Sequence, residues 1–139
     1  MSKVVLHRLA TTKKALDACN LVEALYLEGK KVLVAFTDPA RAATFNEYLW
    51  TFSQGSFVPH SLWDGQGEAD DPVVLALGTL GKPNGATVLV VVDPLPDLAA
   101  AGVFEEIHDF LTPAPEDQEK EARWASTGFE VQVGRDGRE

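Results

Sequence analysis

Lys31-Val32-Leu33-Val34-Ala35-Phe36, running directly into Thr37-Asp38-Pro39, is the stretch that decides the fold. Its apolar residues do not alternate with polar ones, which is how a strand buried on both faces reads. Asp38-Pro39 is a helix start. The carboxylate caps free amides of the first turn, and proline, with no amide to satisfy, takes the first helical position. Ala42, Phe45 and Leu49 then recur at helical spacing as an inner face.

The same grammar extends in both directions. Toward the N-terminus, Val4–Leu9 reads as a strand and Thr11 or Thr12 as the cap of a helix carrying Leu16, Cys19, Val22 and Tyr26. Gly29 stands where a helix ends in the left-handed conformation. Toward the C-terminus, Thr51–Asp71 is irregular and rich in Gly, Ser and Pro. Val73–Leu77 and Thr87–Val92 read as strands joined by a hairpin-like turn at Gly78–Gly85. Ala99–Phe110 is expected to be a short helix, broken by Thr112-Pro113-Ala114-Pro115, and Glu116–Thr127 the last helix, ended by Gly128. Phe129, Val131 and Val133 alternate as a final strand. Strands alternating with helices imply an α/β layered domain with a mostly parallel central sheet flanked by helices. One domain over residues 1–133 is expected, followed by a polar, mobile tail at 134–139.

Composition excludes several function classes. The chain has 139 residues, 45% of them hydrophobic, and its most apolar runs hold at most six residues, against about 20 for a membrane-spanning helix. Val4-Val5-Leu6 meets His7-Arg8 too soon for a secretory signal. Cys19 is the single cysteine and the three histidines are scattered, so neither a disulfide nor a structural zinc site is expected. A cytoplasmic protein follows. The net charge of −9 is concentrated in residues 71–139, which carry five Lys/Arg against thirteen Asp/Glu. The basic pairs Lys13-Lys14 and Lys30-Lys31 make no continuous stripe, so direct binding of duplex DNA is not expected.

The equipment of a nucleotide enzyme is missing. Gly78-Thr79-Leu80-Gly81-Lys82-Pro83 places two residues between glycines where a phosphate-cradling loop needs four, and a proline where the metal-binding hydroxyl belongs. No Gly-x-Gly-x-x-Gly follows the first strand. Asp93, after Val88–Val92, then reads as a turn or cap residue. Cys19, His7 and His108 assemble no nucleophile, base and orienter. The residues point to no catalytic centre, no cofactor and no metal.

Tyr48 to Trp63 instead concentrates aromatic side chains near a helix end: Tyr48, Trp50, Phe52, Phe57 and Trp63, with His60. Such rings either plug a core or form a partner pocket, and at least one is expected to stay partly exposed. Here the chain resembles a known family. Gly29-Lys30-Lys31-Val32-Leu33-Val34-Ala35, the helix ending Leu49-Trp50, and Ser56-Phe57-Val58-Pro59-His60-Ser61-Leu62 are similar to the χ (chi) subunits of bacterial DNA polymerase III holoenzyme. Phe104-Glu105-Glu106-Ile107-His108-Asp109-Phe110 and Gly128-Phe129 extend the resemblance over about residues 3–133.

The resemblance implies a Rossmann-like fold without a phosphate-binding loop, and a non-catalytic accessory subunit of the clamp-loader complex. It also implies tethering through a small ψ (psi) subunit and recognition of the acidic C-terminal tail of single-stranded DNA-binding protein. That tail needs an aromatic wall for its terminal ring and cations for its carboxylates. Trp50 and Phe57 match the family's aromatic wall, and Lys120 and Arg123, three apart on the last helix, are the candidate cations. Their alternative is ordinary pairing with Glu116 and Glu119, with bases from elsewhere, such as Arg41, serving the tail. Two other readings stay open: a Rossmann-type nucleotide- or metabolite-binding enzyme, and an adaptor that has lost tail binding.

Overall fold

The computed structural model describes residues 2–12, 14–52, 57–95 and 97–135. Lys13, residues 53–56 of the aromatic segment and residues 136–139 of the expected tail lie outside the described residues, as does the side chain of Glu116. The strands are β1 (Lys3–Arg8), β2 (Val32–Phe36), β3 (His60–Trp63), β4 (Val73–Leu77), β5 (Val88–Val91), β6 (Glu106–Leu111) and β7 (Glu130–Arg135). The helices are α1 (Ala15–Leu27), α2 (Pro39–Thr51) and α3 (Lys120–Ala125). All seven strands form one sheet in the order β3-β4-β2-β5-β6-β1-β7, and every neighbouring pair is parallel.

The stretch that decides the fold behaves as read. All five residues of β2 are buried in the interior of the sheet, between β4 and β5. Asp38 Oδ1 accepts from the Ala40 amide at 2.9 Å, and Ala42, Phe45 and Leu49 face the core. α1 ends as expected at Gly29, with φ of +84°. The Lys30 amide reaches Leu25 O and the Gly29 amide Tyr26 O, the paired bonds of a left-handed helix end. At its start, neither Thr11 nor Thr12 supplies the cap. Lys14 holds that position with no side-chain bond to the first turn, and Leu16 is left 47% exposed.

α1 and α2 cover one face of the sheet, packing Cys19, Val22, Phe45 and Leu49 against Val32, Val34, Leu75 and Val90. The opposite face is covered by a 3-10 turn at Leu98–Val103 and by α3, with Phe104 and Trp124 buried on Leu33, Leu89, Val91 and Ile107.

Several expectations are corrected. Ala99–Phe110 is not a helix: after the 3-10 turn, Glu106–Leu111 is β6, lying between β5 and β1. His108 and Asp109, polar residues within that segment, are both buried and paired inside the protein. His60–Trp63, within the stretch read as irregular, is the short edge strand β3. Gly78–Gly85 is not a hairpin, because β4 and β5 run parallel on either side of β2. The connection crosses the sheet without a helix and is tied down by the buried Asn84, whose amide donates to Asp71 O at 3.0 Å and Pro72 O at 3.1 Å. The last helix is shorter than expected, a 3-10 turn at Pro115–Asp117 preceding α3, and β7 takes in Gly134 and Arg135 from the expected tail. Among the described residues, no helix is long and apolar enough to cross a membrane.

Candidate functional site: an exposed ring pair, a buried lysine and a crevice

Trp50 follows Leu49 on α2 and is turned roughly 100° from it about the helix axis, off the buried stripe. It is therefore 45% exposed. Its ring lies 4.1 Å from the His60 ring and 5.5 Å from that of Phe57, which is 64% exposed. His60 is the buried footing of this stack. Its Nδ1 lies 2.7 Å from Val58 O and its Nε2 3.1 Å from Asn46 O, and these two carbonyl acceptors fix the ring in plane. Leu62, two residues along β3 and so on the same face, is also exposed. The sequence has no Lys or Arg between Arg41 and Lys82, so α2 beyond Arg41, β3 and β4 contribute no cation here.

Lys120 is the main correction among the site residues. It is buried, with Nζ 3.1 Å from Asp109 Oδ1, 2.7 Å from Asp117 Oδ1 and 2.8 Å from Phe110 O. Asp109, buried completely, also accepts from Trp124 Nε1 at 2.9 Å. Burial pushes the Asp109 carboxyl up, while Lys120 and Trp124 oppose it. Burial disfavours the charge on Lys120, but Asp109 and Asp117 outweigh it and hold the ammonium above its ordinary range. Lys120 therefore fastens α3 to β6 and does not face an incoming tail. Arg123 stays exposed and donates from Nη2 to Leu95 O at 2.9 Å, in a shallow pocket shared with Asp97.

The four expected site residues thus fall into two groups. Trp50 and Phe57 lie on the α1/α2 face at the β3 edge, and Lys120 and Arg123 lie on the opposite face over β6. Four strand spacings of about 4.8 Å, roughly 19 Å in all, separate β3 from β6. They do not form one pocket.

Sequence reasoning missed a crevice of about 510 Å³ at the carboxyl ends of β2 and β6, between the first turns of α1 and α2. Its walls include Phe36, Phe45 and Tyr48, and Lys14 and Arg41 stand beside them. Asp93 is a structural residue at its edge. Its Oδ2 accepts the Thr37 and Asp38 amides at 3.0 and 3.1 Å, and its Oδ1 meets Arg41 Nη1 at 2.9 Å.

A further polar group lies under α1. His7 Nε2 and His108 Nδ1 are 2.8 Å apart, and His108 Nε2 bonds Glu106, which also pairs with Lys30. With Glu106 ionised, His108 Nε2 donates to it, and His7 Nε2 and His108 Nδ1 share a single hydrogen between them. Burial, reinforced by His108, lowers His7 to about 4, and the bond from His108 lowers Glu106 to about 2. Cys19 is buried and its thiol is pushed up to about 12. Among the described residues, no group of three or more His, Cys, Asp or Glu is placed to hold a metal ion.

Comparison with known proteins gives this geometry its context. The fold is similar to that of Mss116p DEAD-box helicase domain 2 bound to an RNA duplex, with a TM-score of 0.68 over 97% of this chain and 64% of that one. At 9% identity this is a likeness of fold alone. The DNA polymerase III subunit chi of Haemophilus influenzae is 34% identical over 98 residues, which is 68% of this chain and 65% of that protein. The probable subunit of Rickettsia prowazekii is 36% identical over 76 residues (54% of this chain, 45% of its own length). The Escherichia coli subunit is 30% identical over 94 residues (67% and 63%). The chain spans less than two thirds of each relative's length. The family model described as DNA polymerase III chi subunit, HolC, matches residues 1–127. With that match, the chain belongs to the DNA polymerase III chi subunit family.

Proposed function

We propose that this chain is a non-catalytic accessory subunit of the clamp-loader complex, acting in the cytoplasm to link the acidic C-terminal tail of single-stranded DNA-binding protein to the replisome. It works by docking protein segments, without a cofactor or metal and without gripping duplex DNA. The observation that carries this reading is the Trp50–Phe57 pair: two large rings held in register by the buried His60 yet left open to solvent. Exposed aromatic anchors on a rigid footing are typical of protein interfaces.

The absence of Lys and Arg from residues 42–81 favours a division of labour. An uncharged ring pair suits an apolar element, such as the terminal ring of the tail or a segment presented by a ψ subunit. An acidic tail is drawn to a surface that carries cations. The test is fluorescence anisotropy with a labelled acidic peptide ending in Pro-Phe, beside a scrambled peptide and ATP. Micromolar binding of the tail peptide alone is expected. Saturable ATP binding with no response to the peptide would replace this reading with the nucleotide-binding one.

A further inference from the structure

We propose that Asn84 is a site of spontaneous deamidation that the native fold keeps closed, and that the change, once made in an unfolded chain, blocks refolding. Asn84-Gly85 is the single Asn-Gly pair of the sequence; Asn20 and Asn46 are followed by Leu21 and Glu47. In such a pair the Gly85 amide nitrogen attacks the Asn84 side-chain carbonyl carbon, Cγ. The bond from Cγ to Nδ2 breaks, ammonia leaves with the proton that Gly85 gives up, and a cyclic imide remains. Water then opens the ring at either carbonyl. The product is aspartate or, with the backbone rerouted through Cγ, isoaspartate. Glycine favours the attack because no Cβ shields its nitrogen and its backbone is the freest in an unfolded chain.

The folded chain holds both reacting groups still. Asn84 is buried in the connection between β4 and β5, and its Nδ2 donates to Asp71 O at 3.0 Å and Pro72 O at 3.1 Å, with Val32 O 3.4 Å away. The Gly85 amide is engaged by Lys82 O at 3.1 Å. Neither group can turn toward the other unless the connection opens. The fold also demands this reactive pair. Gly85 has φ of +74°, where any side chain would be strained, and Asn84 must present hydrogens to backbone carbonyls. An acid at this position fails on both oxygens. A carboxylate has no hydrogen for Asp71 O, Pro72 O or Val32 O. Asn84 Oδ1 is itself buried with no hydrogen-bond partner among the described residues, so no donor waits for the second oxygen. A buried ion without donors is driven out into water or forced to take up a proton. Either way the tie between this connection and the entries of β2 and β4 is lost.

The experiment incubates the full chain in mildly alkaline buffer, with and without guanidinium chloride, and with a reductant to keep Cys19 from cross-linking. Peptide mass spectrometry follows the amide-to-acid mass change at Asn84, with Asn20 and Asn46 as internal controls. Dilution from denaturant, read by circular dichroism, measures the fraction that refolds. Asn84 is expected to react at least about tenfold more slowly in the native protein than in denaturant, and in denaturant well ahead of Asn20 and Asn46. The refolding fraction should fall in step with the modified fraction. Asn84→Asp should melt roughly 5–10 °C below wild type, and below Asn84→Ala, which loses the tie without adding a charge. If both variants fail to fold, the wild-type time course decides alone. Equal rates at Asn84 in native and denatured protein would overturn the proposal. So would full refolding of the modified chain, or an Asn84→Asp protein that melts with the wild type.

Discussion

Replacing Lys120 by alanine should be among the most damaging single substitutions in this chain, and the structure sets its size. The ammonium is 2.7 Å from Asp117 and 3.1 Å from Asp109, and both carboxylates are buried. Removing it leaves two acids facing each other in a desolvated pocket, with Trp124 Nε1, the Phe110 amide and the Thr112 groups as their remaining donors. Breaking a buried pair from one side costs about 3–5 kcal/mol, a large part of the roughly 5–15 kcal/mol that holds a domain folded. At about 3–5 °C per kcal/mol for a chain of this length, the melting temperature should fall by roughly 10–20 °C. Urea denaturation and thermal melts at pH 7 measure this directly. The deficit should also shrink as pH is lowered, because a carboxyl raised by burial destabilises only while ionised, and acid neutralises it. Arg123→Ala, which removes one exposed bond to Leu95 O, should cost about 1 kcal/mol or less. If Lys120→Ala unfolds within 1 kcal/mol of wild type, Lys120 is not the buried fastening described here.

Other consequences follow from the same interior. His7 titrates near 4 when folded and near its ordinary 6.5 when unfolded, so the unfolded chain takes up the proton first. Stability should fall as pH drops from 6.5 toward 4, by about 3 kcal/mol through this group, with Glu106 adding to the loss below its ordinary range of about 4.5. His7→Phe should flatten the upper part of that slope, and an unchanged slope in pH-dependent melts would refute the assignment. Cys19 should resist thiol reagents at pH 8 until urea unfolds the chain, since a thiol near 12 holds almost no thiolate. Rapid modification of the native protein would contradict this. Trp50→Ala should cost only about 1–2 kcal/mol of stability, because nearly half of the ring is already in water, and the loss should appear in partner binding instead.

The layered architecture was legible because β2 and α2 carry their signals locally. An unbroken apolar run, a capping aspartate and a proline each act through neighbouring atoms. β6 was not legible, because His108 and Asp109 are polar residues whose partners, His7 on β1 and Lys120 on α3, lie far away in sequence. The same long-range pairing hid the role of Lys120: with β6 taken for a helix, nothing assigned it a buried acid. β3 escaped because four residues at a sheet edge carry too little pattern. The proximity of Trp50 and Phe57 was readable from a short intervening loop at a helix end. The crevice was not, since its walls come from α1, α2 and the ends of β2, β5 and β6 and meet only in the folded sheet.

Tail recognition is tested most directly by size-exclusion chromatography of this chain with intact single-stranded DNA-binding protein and with the same protein lacking its acidic C-terminal tail. Co-elution with the intact protein, weakened by salt and lost on removal of the tail, is the predicted result. Co-elution that persists without the tail, or none with the intact protein, would contradict it.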